Sequence, residues 1–248
     1  MSAFLPLARS ALYSPVWLVP FDDHARRVRS AGVEARLERF DDEGGSDGQG
    51  GWLPLDDRAV RTPSGHLAFP GLGRRAEPWA ARPERHRVRF EAAGYQPLYP
   101  ADGEPFSAAL VGVEFLVYPY DNTNPPAVEA SPRLVRLLPG TAFPYPPGVR
   151  TVRGVVLDAA TRAPVANALV EAGGRTGQDL TPWHERTLSD ATGAFRLALR
   201  WEGEKATENT TEETFLVEAT ERPGRAGSLT VRLPQEAERR HVIEIREQ

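Results

Sequence analysis

Five histidines, His24, His66, His86, His184 and His241, are the side chains best suited to proton transfer or metal ligation, and their spacing serves neither. No H-x-H and no H-E-x-x-H occurs, and no histidine has Asp or Glu partners arranged in a ligand set. "WHE" at 183–185 comes nearest, and an exposed loop histidine accounts for it better than a lone ligand. "DDEGGSDG", from Asp41, sets four acidic residues among glycines but lacks the alternating D-x-D-x-D-G spacing that turns successive oxygens onto one calcium ion. It reads as a solvated loop. With no cysteine there is no thiolate ligand, no thiol nucleophile and no disulfide. Ser189-Asp190 lacks a histidine base at a useful spacing, and no G-x-S-x-G, phosphate-binding or dinucleotide motif appears. The chain is therefore expected to be no enzyme, with no catalytic residue, no cofactor and no metal site.

Aromatic and apolar residues in places suited to interfaces remain. Phe4, Leu5, Leu7, Leu12, Tyr13, Trp17 and Leu18 crowd a stretch that Pro6, Pro15 and Pro20 keep from forming one helix, too apolar for a solvated tail. Trp52, Trp79 and Trp183 lie near turns and strand ends and are interface candidates, each equally able to serve as a core plug. Trp201, closing a strand, is assigned to the core.

The formal net charge is −4, and the parts before and after Gly148 carry −2 each, so neither is a basic nucleic-acid surface. Lys205 is the one lysine among 30 basic residues, which fits compositional drift better than a demand for planar contacts. No apolar run of about 18 residues occurs, and Pro6, Arg9 and Pro15 interrupt any signal-like segment. A soluble protein resident in the cytoplasm where it is made is expected, with protein partners, itself included, and neither nucleic acid nor membrane.

The 22 Gly and 23 Pro punctuate short strands rather than long helices. "VRGVVLDAATRAPVANALVEAGG", residues 152–174, predicts a hairpin whose turn Asp158 caps. In "SDATGAFRLAL" Asp190 caps a turn, Gly193 takes positive φ, and Phe195, Leu197 and Leu199 alternate toward a core. "TFLVEATE", "SLTVRLP" and "HVIEIRE" complete six or seven short strands, the mark of a sandwich.

The first half repeats the plan. Gly65 is its turn glycine, Leu67 and Phe69 follow, "HRVRFEAAGY" matches "TFLVEATERPG", and "LVRLLPG" at 134–140 parallels "LTVRLPQ" at 229–235. The fold class is all-β: two tandem sandwiches, residues 21–138 and 149–248, after an apolar arm at 1–20, joined by a Pro-rich linker at 139–148.

Gly154, Val156, Asp158, Pro164, Val165, Ala168, Val170, Asp190, Gly193, Phe195 and Leu197 stand where the carboxypeptidase regulatory-like domain has its pattern G-x-V-x-D, P-V-x-x-A-x-V, D-x-x-G-x-F-x-L. Residues 150–220 resemble that family, and Gly65, Phe69 and "RFEAAGYQP" resemble it more faintly. Thr161-Arg162 replaces its frequent Thr-Gly, and "EGEKATENTTEE" is an insert. The resemblance implies a transthyretin-like or Ig-like sandwich of an accessory, adhesive or structural kind. Some transthyretin-like sandwiches are non-haem iron dioxygenases using two Tyr and two His; here all six tyrosines precede Val149 and no H-x-H strand accompanies them.

The leading expectation is a structural or adaptor subunit of a particle assembled in the cytoplasm, such as a phage tail or contractile injection apparatus. A carbohydrate- or protein-binding module exported by an unconventional route is the alternative, and an iron dioxygenase the remote one.

Overall fold

In the computed structural model the described residues are 13–42, 50–121, 123, 126, 131–176, 181–200 and 213–248. They form an all-β protein whose sole helical element is a 3₁₀ turn at Pro78–Ala80. The strands of the N-terminal part are β1 (Trp17–Asp22), β2 (Arg27–Val28), β3 (Val33–Asp41), β4 (Gly51–Arg58), β5 (Val60–Arg61) and β6 (Leu67–Ala68). β7 (Glu84–Ala92), β8 (Tyr95–Leu98), β9 (Val113–Val117) and β10 (Arg133–Pro139) follow. The C-terminal part holds β11 (Arg150–Asp158), β12 (Leu169–Thr176), β13 (Thr181–Leu188) and β14 (Ala194–Leu199). β15 (Glu213–Arg222), β16 (Arg225–Leu233) and β17 (Arg240–Glu247) complete it.

Two compact units divide the chain, and they do not follow its order. The first comprises residues 1–19, 35–89 and 113–133; the second comprises 20–34, 90–112 and 134–248. The Pro-rich segment 139–148 falls inside the second unit, as do Pro20–Glu34 and Phe90–Gly112, which the sequence groups with the first sandwich.

The second unit contains a β-sandwich. Its strands run in the order β13-β12-β15-β16-β17-β11-β14, with β11 and β17 parallel and the remaining recorded pairs antiparallel. β16 meets β17 through the short register Arg225↔Glu247 and Ala226↔Arg246, where one layer passes into the other. Alternate residues from both layers, among them Val156, Val170, Leu197, Val217, Val231 and Ile243, close a single core. Leu169 and Leu188 belong instead to a separate cluster with Leu98 and Leu138.

In the first unit β4-β3-β7-β9 form one sheet, and β6 pairs with the leading end of β1 and, on its other side, with β5. Leu18, Leu37, Leu67, Val88, Val113 and Val117 are buried. β10 lies beside β1 in the same sheet, as β17 lies beside β11. The hairpin turns of the two copies match, with Gly65 and Gly193 at φ +84° and +74°, and Gly94 and Gly224 at +78° and +76°. Strand neighbours therefore equate β6 with β14, β1 with β11, β8 with β16 and β10 with β17. This corrects the reading that "LVRLLPG" parallels "LTVRLPQ": "LVRLLPG" is β10, the counterpart of "HVIEIRE". The counterpart of "LTVRLPQ" is β9, which pairs with β7 as the end of β16 pairs with β15, and residues 99–112 set it apart from β8.

Candidate functional site

The densest polar constellation grows from "FDDH" at 21–24, where β1 ends and turns into β2. Asp22 Oδ1 accepts the Ala25 N–H at 2.9 Å, and Arg26 adopts φ +56°, closing the turn. Asp23 is 2% exposed, a position that a carboxylate holds only with partners. Arg186 donates to it through Nη2 at 2.8 Å and Nε at 3.1 Å, and Arg136 through Nη1 at 2.8 Å. Arg136 turns its remaining nitrogens, Nε and Nη2, onto Asp102 at 2.8 and 2.6 Å. Asp22 accepts the Tyr95 hydroxyl at 2.6 Å, with the Arg29 guanidinium 4.7 Å above that ring. His24 Nδ1 lies 3.1 Å from Glu185, which also takes Arg200 at 2.6 Å, and Phe143 and Tyr145 pack edgewise on the imidazole.

Burial alone raises the pKa of Asp23; the hydrogen bonds and charge of Arg186, with Arg136 and Arg26, outweigh it and hold the carboxyl below its usual range. Burial, then the Asp22 carboxylate, push Tyr95 up to about 12. A general base needs a free lone pair and a pKa near the working pH. Asp23, which accepts three hydrogen bonds from Arg136 and Arg186 and whose pKa is lowered, does not fit that role; it ties the turn after β1 to β10 and β13.

The outward face of the first unit's sheet carries a second arrangement. Cross-strand pairing sets Trp52 opposite Phe40, and Leu116 opposite Arg85. The Arg85 guanidinium sits 4.7 Å over the Phe40 ring, and that of Arg87 sits 4.4 Å over Trp52. Arg87 also pairs with Glu38. Trp79 differs. Held on the 3₁₀ turn between Pro78 and Pro83, it is 77% exposed.

Tyr13 packs edge-on to Tyr120 at 5.0 Å, and Trp17 is half-buried in β1. Leu18 is fully buried, and Trp183 is buried against Phe215 at 6.1 Å. Both are thus core residues rather than surface anchors, because β1 and β13 turn these positions inward. Phe4, Leu5, Leu7, Leu12 and Trp201 lie outside the described residues, as do most of the acidic loop and the "EGEKATENTTEE" insert. Asp158 Oδ1 accepts the Ala160 and Thr161 amides, and Asp190 Oδ1 accepts those of Thr192 and Ala194. Ser64 Oγ and His66 Nδ1 lie 3.1 Å apart on an exposed turn.

Among the described residues no group of three His, Asp or Glu is placed to hold a metal ion, and no helix is long and apolar enough to cross a membrane. No family model matches the chain, and neither does any curated protein.

Solved structures do. A streptococcal ancillary pilin aligns at 14% identity over 94% of this chain and 62% of its own, TM-score 0.27, so the chain spans about three fifths of that pilin. The D295N mutant of the shaft pilin SpaA from Lactobacillus rhamnosus GG aligns at 12% identity over 95% and 98%, TM-score 0.27. A putative adhesin from Bacteroides ovatus aligns at 8% identity over 82% and 71%, TM-score 0.22. None lends this chain a function.

Sequence reasoning missed Asp22, Asp23, Arg136 and Arg186. The signal available was two adjacent carboxylates closing an apolar strand, "WLVPFDD", where a solvated turn needs none.

Proposed function

We propose that the protein is a non-enzymatic structural or adaptor subunit of a larger protein assembly. One observation carries the reading: Trp79 stands 77% exposed on a turn between Pro78 and Pro83, a large aromatic of the kind that anchors protein interfaces. The charged groups around Asp23 support it, because Arg136 and Arg186 are engaged in holding strands together. In its finer form the proposal is a particle assembled in the cytoplasm, of the phage-tail or contractile-injection kind. The carbohydrate-binding alternative is disfavoured at Trp52, since Arg87 covers a ring face that a sugar needs.

Size fractionation of native lysate tests the proposal. The protein is expected to co-migrate with megadalton particles. Trp79→Ala is expected to leave the melt unchanged and reduce incorporation at least tenfold, the loss of about 1.4 kcal/mol or more. Migration of the wild-type chain as free protein, or retention on immobilised glycans instead, overturns it.

A further inference from the structure

The outward face of the second unit's sandwich carries a row of like charge. Strand register sets Arg153 of β11 opposite Arg196 of β14 on one side and opposite Arg240 of β17 on the other. Three guanidinium side chains thus stand abreast on one face, across about 10 Å of sheet. Like charges directly opposite one another destabilise a strand pair. The chain as a whole carries a net charge of −4, so a general excess of basic residues does not account for the row.

Arg196 is fixed in place. Its Nη1 donates to the Phe143 carbonyl at 3.1 Å, and its guanidinium lies 4.8 Å over the Tyr145 ring, contacts that leave its charge uncompensated. Arg153 and Arg240 are exposed, and among the described residues no carboxylate pairs with either. Two acids on either side of Arg240 along the chain, Glu236 and Glu244, are committed to Arg239, at 3.0 Å, and to Arg162. The next row on the same face is apolar: Val155 lies between Ala194 and Val242, and Val242 is 44% exposed.

We propose that this face of β14, β11 and β17 is a docking site for an extended, acidic segment of a partner protein. A carboxylate of that segment sits over Arg153, where its two oxygens can accept from the guanidinium groups on both sides as well. An aliphatic side chain two positions along covers Val155 and Val242, because extended chains bring every second residue to the same face at the spacing that separates the two rows. The apolar row is what favours a peptide over an inorganic anion, which would leave it uncovered. This inference stands apart from the adaptor reading, which Trp79 of the first unit carries, and is tested separately.

Titration of the full chain with the synthetic peptide Ser-Glu-Ser-Val-Ser, followed by NMR amide shifts, decides it, with the Gln analogue as control. The Glu peptide is expected to shift the amides of Arg153, Val155, Arg240 and Val242, and the Gln analogue to leave them in place. Arg153→Gln and Arg240→Gln are each expected to weaken binding at least tenfold while raising the melting temperature of the free chain, since each removes a like-charge neighbour. Unchanged affinity in these variants, or a lowered melting temperature in both, overturns the proposal. Displacement of the peptide by sodium phosphate beyond that caused by sodium chloride at equal ionic strength also overturns it, because a free oxyanion is then the occupant.

Discussion

Asp23 shows how much a single buried carboxylate can organise. Asp23→Asn leaves Arg186 facing a neutral group and is expected to cost about 3 kcal/mol in urea unfolding. Its folded pKa lies below the unfolded value near 4, so the stabilisation is complete above that pH and is lost as pH falls through the folded pKa. The gap between wild type and Asp23→Asn should therefore close below about pH 4; a gap unchanged at pH 2.5 refutes the assignment. His86, 1% exposed and stacked on Phe115, behaves differently in acid. Burial lowers its pKa, against the pull of Glu84 and with the push of Arg39 and Arg75. The unfolded chain thus takes the proton first, and stability falls as pH drops from about 6.5. His86→Gln should flatten that slope. The Asp158 and Asp190 turns are legible in the sequence because each Asx bond spans two to four residues. Asp23 is not, because its arginines lie 113 and 163 positions away.

At the scale of elements, Gly193 offers a sharp comparison. A Cβ there would stand 2.6 Å from the Val156 carbonyl oxygen, whereas at Gly224, with a similar φ, nothing lies within 4 Å. Gly224→Asn should cost under about 1 kcal/mol and Gly193→Asn about 2 to 3, measured as unfolding free energies; equal costs remove the β11–β14 packing from the account. The second sandwich closes its own core, so residues 149–248 are expected to melt cooperatively alone. Leu169 needs Leu98 and Leu138, which that fragment lacks. Leu169→Thr should therefore cost about 1.5 to 3 kcal/mol in the full chain and under about 1 in the fragment. Period-two alternation made these strands readable. Their neighbours were not readable, because a hairpin's register is local while β10 and β1, which lie side by side, are far apart in the chain.

For the whole molecule, truncation separates the N-terminal residues by role. Removing residues 2–12 is expected to leave both units folded, while removing 2–18 takes Val16 and Leu18 from the buried set and should abolish the first unit's melt. Calorimetry checks both, and a folded 2–18 deletion removes β1 from the core. The parallel pairing of β11 with β17 also bears on how the protein is born. During synthesis β11 leaves the ribosome long before Arg240, the residue that its Arg153 will face. Until then β11 has β14 on one side and nothing on the other, and β1 waits in the same way for β10. Each nascent sheet thus spends the time of translation with an open flank at its centre, the interval when neighbouring polysomal copies are most prone to pair wrongly. Slowing the ribosome between β16 and β17 should raise aggregation more than slowing it after β17.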